Sequence, residues 1–354
     1  CIFSFNSTAS ASTTRVAIMP FVNISADKNY EWISQGFSES LTSAFAQTGK
    51  LVVIERNQIK QLLAEQTFEK SGFVDEKNSV EIGKILGVDK LIVGSYQIFS
   101  GNISVNSRVV NIKTAQIDTK GAIANKRAKL ENIFDLQEEL CLIHSRELIE
   151  NLSDNEKSQI AQVTSKSTNS LSAYEYYVKG KEQFQLLNTK SFARALEFYS
   201  KALEIDNSYA LVYSDLAQMY GKWGYQRQQN GQEFESYLKQ SIVYGQQAVK
   251  IAPNIGESHR GLAVAYFKNG DVKNAEAQIL KAIELNPSES ESYYFLWKIK
   301  NEDENSETIK RVLSLNPSFA PMYNDLGSLM EKNKNYPKAI EYFEKAIEIN
   351  PGFT

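Results

Sequence analysis

The feature that most constrains the fold of this chain is a regularly spaced break in its C-terminal half. Apolar helical stretches end in Asn-Pro at 286–287, 316–317 and 350–351, and Ala252-Pro253 is a degenerate version of the same break. Successive prolines lie 34, 30 and 34 residues apart. Because proline cannot continue a helix, each break marks the end of one structural unit. The spacing predicts repeated helical hairpins after about residue 173 instead of a second globular core.

Within each unit, small and large apolar residues follow the order that two packed helices require. In the unit 256–287, Leu262, Ala263 and Tyr266 fall on the first helix, and Ala275 begins the apolar face of the second. Small residues let the helices approach closely, and large ones fill the groove between neighbours. The period and this pattern resemble tetratricopeptide repeats. The resemblance implies an all-α solenoid over 173–354 with about five units, one shortened and one carrying an insertion within 221–237.

The resemblance also implies a concave wall lined by the first helix of each unit, suited to an extended or helical peptide of another protein. By position in the pattern, the peptide-binding candidates are Glu257, Arg260, Val264, Phe267, Lys268, Asn324, Ser328, Glu331 and Lys332. Each charged residue has the alternative interpretation of a solvated helix face. The Lys/Asn/Arg cluster with which some family members grip a terminal carboxylate is not intact here.

The N-terminal part has a different pattern, which predicts a mixed α/β domain over 15–152. Short β-branched runs at 15–22 and 51–54 predict two buried strands, and the amphipathic stretch between them predicts a helix that stops at Gly49. Further helices are predicted over 57–65 and 80–86. Residues 91–123 predict a three-stranded antiparallel meander with turns at 101–102 and 114–115, followed by a helix over 130–152. Residues 153–172 are polar and predict a linker whose beginning extends the preceding helix.

Four sequence blocks of this domain occur in an order that resembles the curli-secretion (CsgG-like) family and TolB amino-terminal-like domains. They are VAIMPF at 16–21, GFSESLTSAF at 36–45, VVIERNQIKQLLAEQ at 52–66 and EIGKILGVDKLIVGSY at 81–96. The resemblance implies a domain that docks or oligomerises. A transmembrane barrel needs additional strands of about 9–11 alternating residues, for which the short connections leave no sequence, so a pore is not expected.

The first residue, Cys1, precedes a small and polar stretch at 4–14 that predicts a flexible tether over 1–14. A signal peptide that ends before a cysteine is the arrangement of bacterial lipoproteins, so Cys1 is the candidate lipidation site and membrane anchor. Ile2 favours the outer membrane with the protein facing the periplasm. The alternatives are a soluble periplasmic protein and a sequence that merely begins at a cysteine.

Composition argues against several other classes of function. The chain has 39 Lys+Arg and 42 Asp+Glu, a balance that does not suit nucleic-acid binding. Two cysteines and two histidines without ligand spacing predict no metal site, and no cofactor motif is present. Cys141 and His144 share a helix without a recognisable oxyanion loop, so no enzyme is predicted. The leading hypothesis is a protein-binding scaffold. The alternatives are a sensory or regulatory input module of a larger bacterial signalling system and an accessory component of a secretion or envelope assembly.

Overall fold

The computed structural model describes residues 14–349 except 26, 49, 55–75, 165–167, 185, 187, 288 and 317–318. Cys1 and the predicted helix over 57–65 therefore lie outside the described residues. A mixed α/β part built on one sheet comes first, and helix pairs follow. The predicted fold class, α/β followed by an all-α repeat array, is confirmed.

The sheet of the first domain combines parallel and antiparallel pairing in the strand order β3-β1-β4-β5-β6. Its strands are β1 (Thr14–Ile18), β2 (Val22–Asn23), β3 (Leu51–Val53), β4 (Lys90–Phe99), β5 (Asn102–Asn111) and β6 (Gln116–Lys129). β1 runs parallel to β3 and β4, and β4 to β6 form the predicted meander. The single strand predicted over 15–22 is instead two, since Pro20 has no N–H for the ladder.

Helices cover both faces of this sheet. α1 (Trp32–Thr48) and α3 (Ile133–Leu148) pack on one face, where Phe37 and Leu140 join a core that includes Ile92. α2 (Glu76–Ile85) packs on the other face, where Ile82 meets Leu91. Neighbouring residues Leu91 and Ile92 enter different cores because successive side chains of a strand point to opposite faces.

The segment 153–172 begins with a separate helix, where an extension of the preceding helix was predicted. Its first half forms α4 (Asp154–Thr164), which packs against α1 and α3. Ile160 is fully buried, and Glu156 forms an ion pair with Lys50 at 2.7 Å. α4 is also not a simple extension of α3, because Asn151 between them has a left-handed φ of 55°. The sparse apolar residues of α4 give a weak helical pattern, and only contact with the first domain shows that the helix is part of it.

The remainder forms five helix pairs in the part of the chain that the structure describes. The pairs are α5 (Leu171–Phe184) with α6 (Thr189–Ile205), α7 (Ala210–Gln229) with α8 (Glu235–Ile251), α9 (Gly256–Lys268) with α10 (Val272–Leu285), α11 (Ser290–Lys300) with α12 (Glu307–Leu315), and α13 (Ala320–Lys332) with α14 (Tyr336–Ile349). The odd-numbered members are the first helices of the units. α11 and α12 are the short pair, and the insertion within 221–237 lengthens α7 and α8.

Small residues allow the two helices of a pair to approach closely. A Cβ at Gly180 would lie 2.6 Å from the Tyr199 ring, and a Cβ at Gly327 would lie 2.6 Å from the Phe343 ring. Both distances are well inside van der Waals contact. Trp297 occupies the corresponding place in the short pair and is buried, so its side chain does not turn outward.

Candidate functional site

The first helices of the units form one continuous surface, here called the first-helix wall. α5 contacts α7, α7 contacts α9, and α9 contacts α11. The Tyr294 hydroxyl of α11 donates to Asp325 Oδ2 of α13 at 2.7 Å and so links the last two first helices. This wall is the surface on which a tetratricopeptide array is expected to hold a partner.

The first domain covers the beginning of this wall. The Tyr174 ring of α5 packs edge-on against Trp32 and Phe134, with ring centroids 5.6 and 5.0 Å away. Gln137 Nε2 donates to the Tyr174 hydroxyl at 3.1 Å. Burial raises the pKa of Tyr174 to about 12, which keeps the hydroxyl protonated. The first unit is therefore joined to the α/β domain by buried contacts.

Two further contacts tie the array to the first domain. Lys181 Nζ of α5 lies 3.4 Å from Glu39 Oε2 of α1. β3 also contacts α12, so the fourth unit approaches the first domain as well. α12 is the second helix of its unit, so these two contacts do not themselves occupy the first helices from α7 onward.

Arg260, one of the predicted peptide-binding residues, is buried and forms ion pairs within the protein. It is 9% exposed, its Nε lies 3.1 Å from Glu289 Oε1, and its Nη1 pairs with Glu291. Burial alone would lower the pKa of Arg260, but the nearby carboxylates raise it, so the guanidinium stays charged. The pKa of Glu289 is raised because burial outweighs the attraction of Arg260. This network connects α9 to the start of α11 and has a structural role.

A second internal polar contact joins the first two units. The Tyr199 hydroxyl of α6 donates to Asp215 Oδ2 of α7 at 2.9 Å. Burial raises the pKa of Asp215, although the charge of Lys181 and the hydrogen bond from Tyr199 oppose that rise. Like the Arg260 network, this contact satisfies charge within the array.

Lys268 and Phe267 remain partly exposed on the wall. Lys268 Nζ lies 3.9 Å from the centroid of the Tyr225 ring of α7, and that ring is 42% exposed. Lys222 Nζ lies 5.1 Å from the centroid of Phe184 of α5. Burial lowers the pKa of both lysines. The quadrupole of an aromatic ring attracts a cation placed over its face, and the N–H groups of the ammonium remain able to donate hydrogen bonds.

Burial and its neighbours lower the pKa of Lys268 to about 8. After burial, the positive charges of Lys298 and Lys222 contribute most to this lowering, and Asp325 opposes it. The charged form is thus destabilised by both desolvation and like charge.

The other predicted residues divide between core and surface. Val264 is fully buried in the apolar core, so it offers no surface to a partner. Glu257 and Asn324 are partly exposed, and Ser328, Glu331 and Lys332 are exposed on α13. That these residues bind a peptide stays a prediction.

Lys222 and Tyr225 were not among the residues predicted from the sequence. Lys222 follows Leu216 by six residues, just as Lys268 follows Leu262 and Lys332 follows Leu326. Alignment of the units on these leucines gives the three lysines the same repeat position. That signal was present but obscured, because Lys222 and Tyr225 lie in the insertion.

Cys141 and His144 lie in the core of the first domain, where the structure adds two polar neighbours. His144 Nε2 is 2.8 Å from Ser107 Oγ, and its Nδ1 is 3.3 Å from Glu147 Oε2. His144 is fully buried and Ser107 is 4% exposed, so this series of groups is sealed from substrate. Burial also raises the pKa of Cys141, which keeps it an inert thiol.

Two other kinds of site are a metal centre and a membrane-spanning helix. No group of three or more His, Cys, Asp or Glu side chains in that part of the chain is arranged to hold a metal ion. None of the described helices has the length and apolar content that a membrane-spanning helix requires.

Known families match both halves. The model of CsgG, the curli production assembly/transport component, matches residues 2–124, and tetratricopeptide repeat models match 261–289 and 320–353. The C-terminal half thus contains tetratricopeptide repeats, which support a protein-interaction scaffold. The whole chain combines a CsgG-like domain with such repeats.

Three of the individual proteins and structures that resemble this chain share less than a quarter of its residues in the aligned parts. A putative adenylate cyclase 3 of Rhizobium meliloti (strain 1021) is 24% identical over 255 residues, which is 71% of this chain and 40% of that protein. The crystal structure of MamA is 22% identical with a TM-score of 0.32 and covers 49% of this chain and 94% of its own. The lipoprotein GNA1162 of Neisseria meningitidis is 15% identical with a TM-score of 0.28, covering 33% and 80%. This chain spans less than half the length of the curated relative.

Proposed function

We propose that this chain is a non-enzymatic envelope scaffold that captures a segment of another protein on its first-helix wall. The observation that carries the proposal is the continuity of the wall from α7 to α13, beyond the part that the first domain covers. Partly exposed groups such as Lys268, Phe267 and Asn324 provide donors and apolar surface for a bound chain.

The CsgG-like domain supports a place in the bacterial cell envelope, because its family is described as an assembly/transport component of curli production. In this proposal the domain docks on a larger assembly or oligomerises, and the Tyr174 contacts fix the array relative to it. Attachment to the outer membrane through Cys1, facing the periplasm, completes the proposal. Intact mass measurement of the protein extracted from membranes tests the anchor. An unmodified Cys1 would leave a soluble periplasmic scaffold.

Site-specific photo-crosslinking in the native host tests the scaffold itself. A benzophenone amino acid at Ser328, exposed on the first helix α13, is expected to capture a partner of defined mass. The matched control carries the same group at Leu280, which is 47% exposed on the second helix α10. Equal labelling from both positions, or none from Ser328, contradicts the wall assignment.

A second candidate is a sensory or regulatory module of a larger signalling system. The match to the putative adenylate cyclase 3 covers 255 residues, more than the 182 of the repeat region over 173–354, so it extends beyond the repeats. In that case the partner would be an effector domain. Co-purification of the chain with a cyclase or a transcription regulator from the host would favour this candidate over an envelope scaffold.

A further inference from the structure

Two lysines on the first-helix wall differ from three other cations of the array. Lys181, Arg260 and Lys298 each pair with a carboxylate. Among the described residues, Lys222 and Lys268 form no such ion pair. They occupy the same repeat position in adjacent units and are here called the lysine pair.

The lysine pair is built into the wall by packing. The Lys268 stem crosses α7 so closely that a Cβ at Gly221 would lie 3.6 Å from Lys268 Cγ. Each ammonium group then rests over an aromatic ring of the preceding first helix, Tyr225 for Lys268 and Phe184 for Lys222. Ordinary surface lysines are free to reach water, whereas these two are held in place at the cost of solvation.

The positive charge of the lysine pair is only partly compensated, because Glu291 and Asp325 act on it without forming an ion pair with either lysine among the described residues. Burial disfavours the charged form of both side chains, and the positive charges of Lys298 and Lys222 further lower the pKa of Lys268. A carboxylate placed between them would remove the repulsion and restore the lost hydrogen-bond acceptors.

We propose that Lys222 and Lys268 bind the side-chain carboxylates of an acidic segment of the partner protein. This inference rests on the proposed scaffold function and specifies the chemistry of its partner. Neighbouring packed helices are about 8–10 Å apart, and an extended chain advances about 3.3 Å per residue. Two acidic residues three positions apart, about 10 Å in an extended chain, therefore match adjacent units.

The surroundings of the lysine pair favour a segment with a few spaced carboxylates over a polyanion. The charge of Glu291 raises the pKa of Lys222, and that of Asp325 raises the pKa of Lys268, so the lysine pair already feels negative charge from the protein itself. A nucleic acid or a densely charged lipid surface would be repelled by these carboxylates. The exposed face of Tyr225 and the partly exposed Phe267 offer apolar contact to the backbone of a peptide.

Fluorescence anisotropy with the full chain tests this inference. The probe is a fluorescein-labelled peptide in which every third residue is Glu, the others are Ser and the C-terminus is amidated. The Lys222→Gln/Lys268→Gln variant is expected to bind it about tenfold more weakly or worse, because hydrogen bonds to charged groups are lost. The Lys222→Arg/Lys268→Arg variant retains positive charge and is expected to bind within a few-fold of the unchanged protein.

Matched controls distinguish binding at the lysine pair from nonspecific attraction between the acidic peptide and other positive charges. Lys281→Gln removes an exposed lysine of α10 that pairs with Glu284 and should leave affinity unchanged. A peptide with Gln in place of Glu should not bind, even with a free terminal carboxylate. Unchanged affinity of the double Gln variant, an equal loss in Lys281→Gln, or binding of the Gln peptide overturns the inference. If the Ser328 crosslink persists in that outcome, the scaffold function stands and only the acidic specificity fails.

Discussion

Replacement of Tyr174 by alanine is expected to uncouple the two halves of the protein. The ring is 8% exposed and packs against Trp32 and Phe134, and one apolar core runs from the sheet into the first two units. Loss of a buried aromatic side chain costs about 3–5 kcal/mol of unfolding free energy. Tyr174→Phe keeps the ring but leaves Gln137 Nε2 without its acceptor, which costs about 1–3 kcal/mol.

Urea unfolding followed by tryptophan fluorescence measures this effect, since the chain has three tryptophans. A protein that keeps only Trp32 reports the first domain, and one that keeps only Trp297 reports the array. The two curves are expected to coincide with Tyr174 present and to separate in Tyr174→Ala. Tyr225→Ala, at a tyrosine that is 42% exposed, is the control and should leave them together. Separate curves before the substitution, or coincident curves after it, refute the coupling.

Two further predictions concern buried charge. Arg260→Met is expected to destabilise the array by about 2–3 kcal/mol in urea unfolding, because Glu289 and the 33% exposed Glu291 lose a buried counter-charge that solvent replaces only in part. Changing both glutamates to Gln should recover much of the loss. Affinity for the acidic peptide should fall as pH rises above about 8, where Lys268 loses its proton among Lys222, Lys298 and Asp325. The bound carboxylate favours the charged form, so the midpoint in the complex lies higher. Lys268→Arg should make affinity constant over this range, and a persistent fall would assign the titration to another group.

The sequence determined the features that repeat locally. Proline spacing and the alternation of small and large residues specify helix pairs, because each unit needs the same packing and encodes it within a few turns. Alternating apolar residues likewise specified the meander from β4 to β6, and ordered sequence blocks specified the α/β domain. These patterns depend on neighbours close in the chain, so they are readable without coordinates.

Tertiary structure decided which polar groups are used internally and which remain available. Arg260 and Lys268 look alike in sequence, but Arg260 meets glutamates from the next unit, whereas Lys268 meets the ring of Tyr225 from the preceding one. The docking of α4 and the covering of the first unit also depend on residues far apart in the chain. The partner of a charged side chain depends on which residues the packing of neighbouring units places beside it. The repeat period alone does not specify those neighbours.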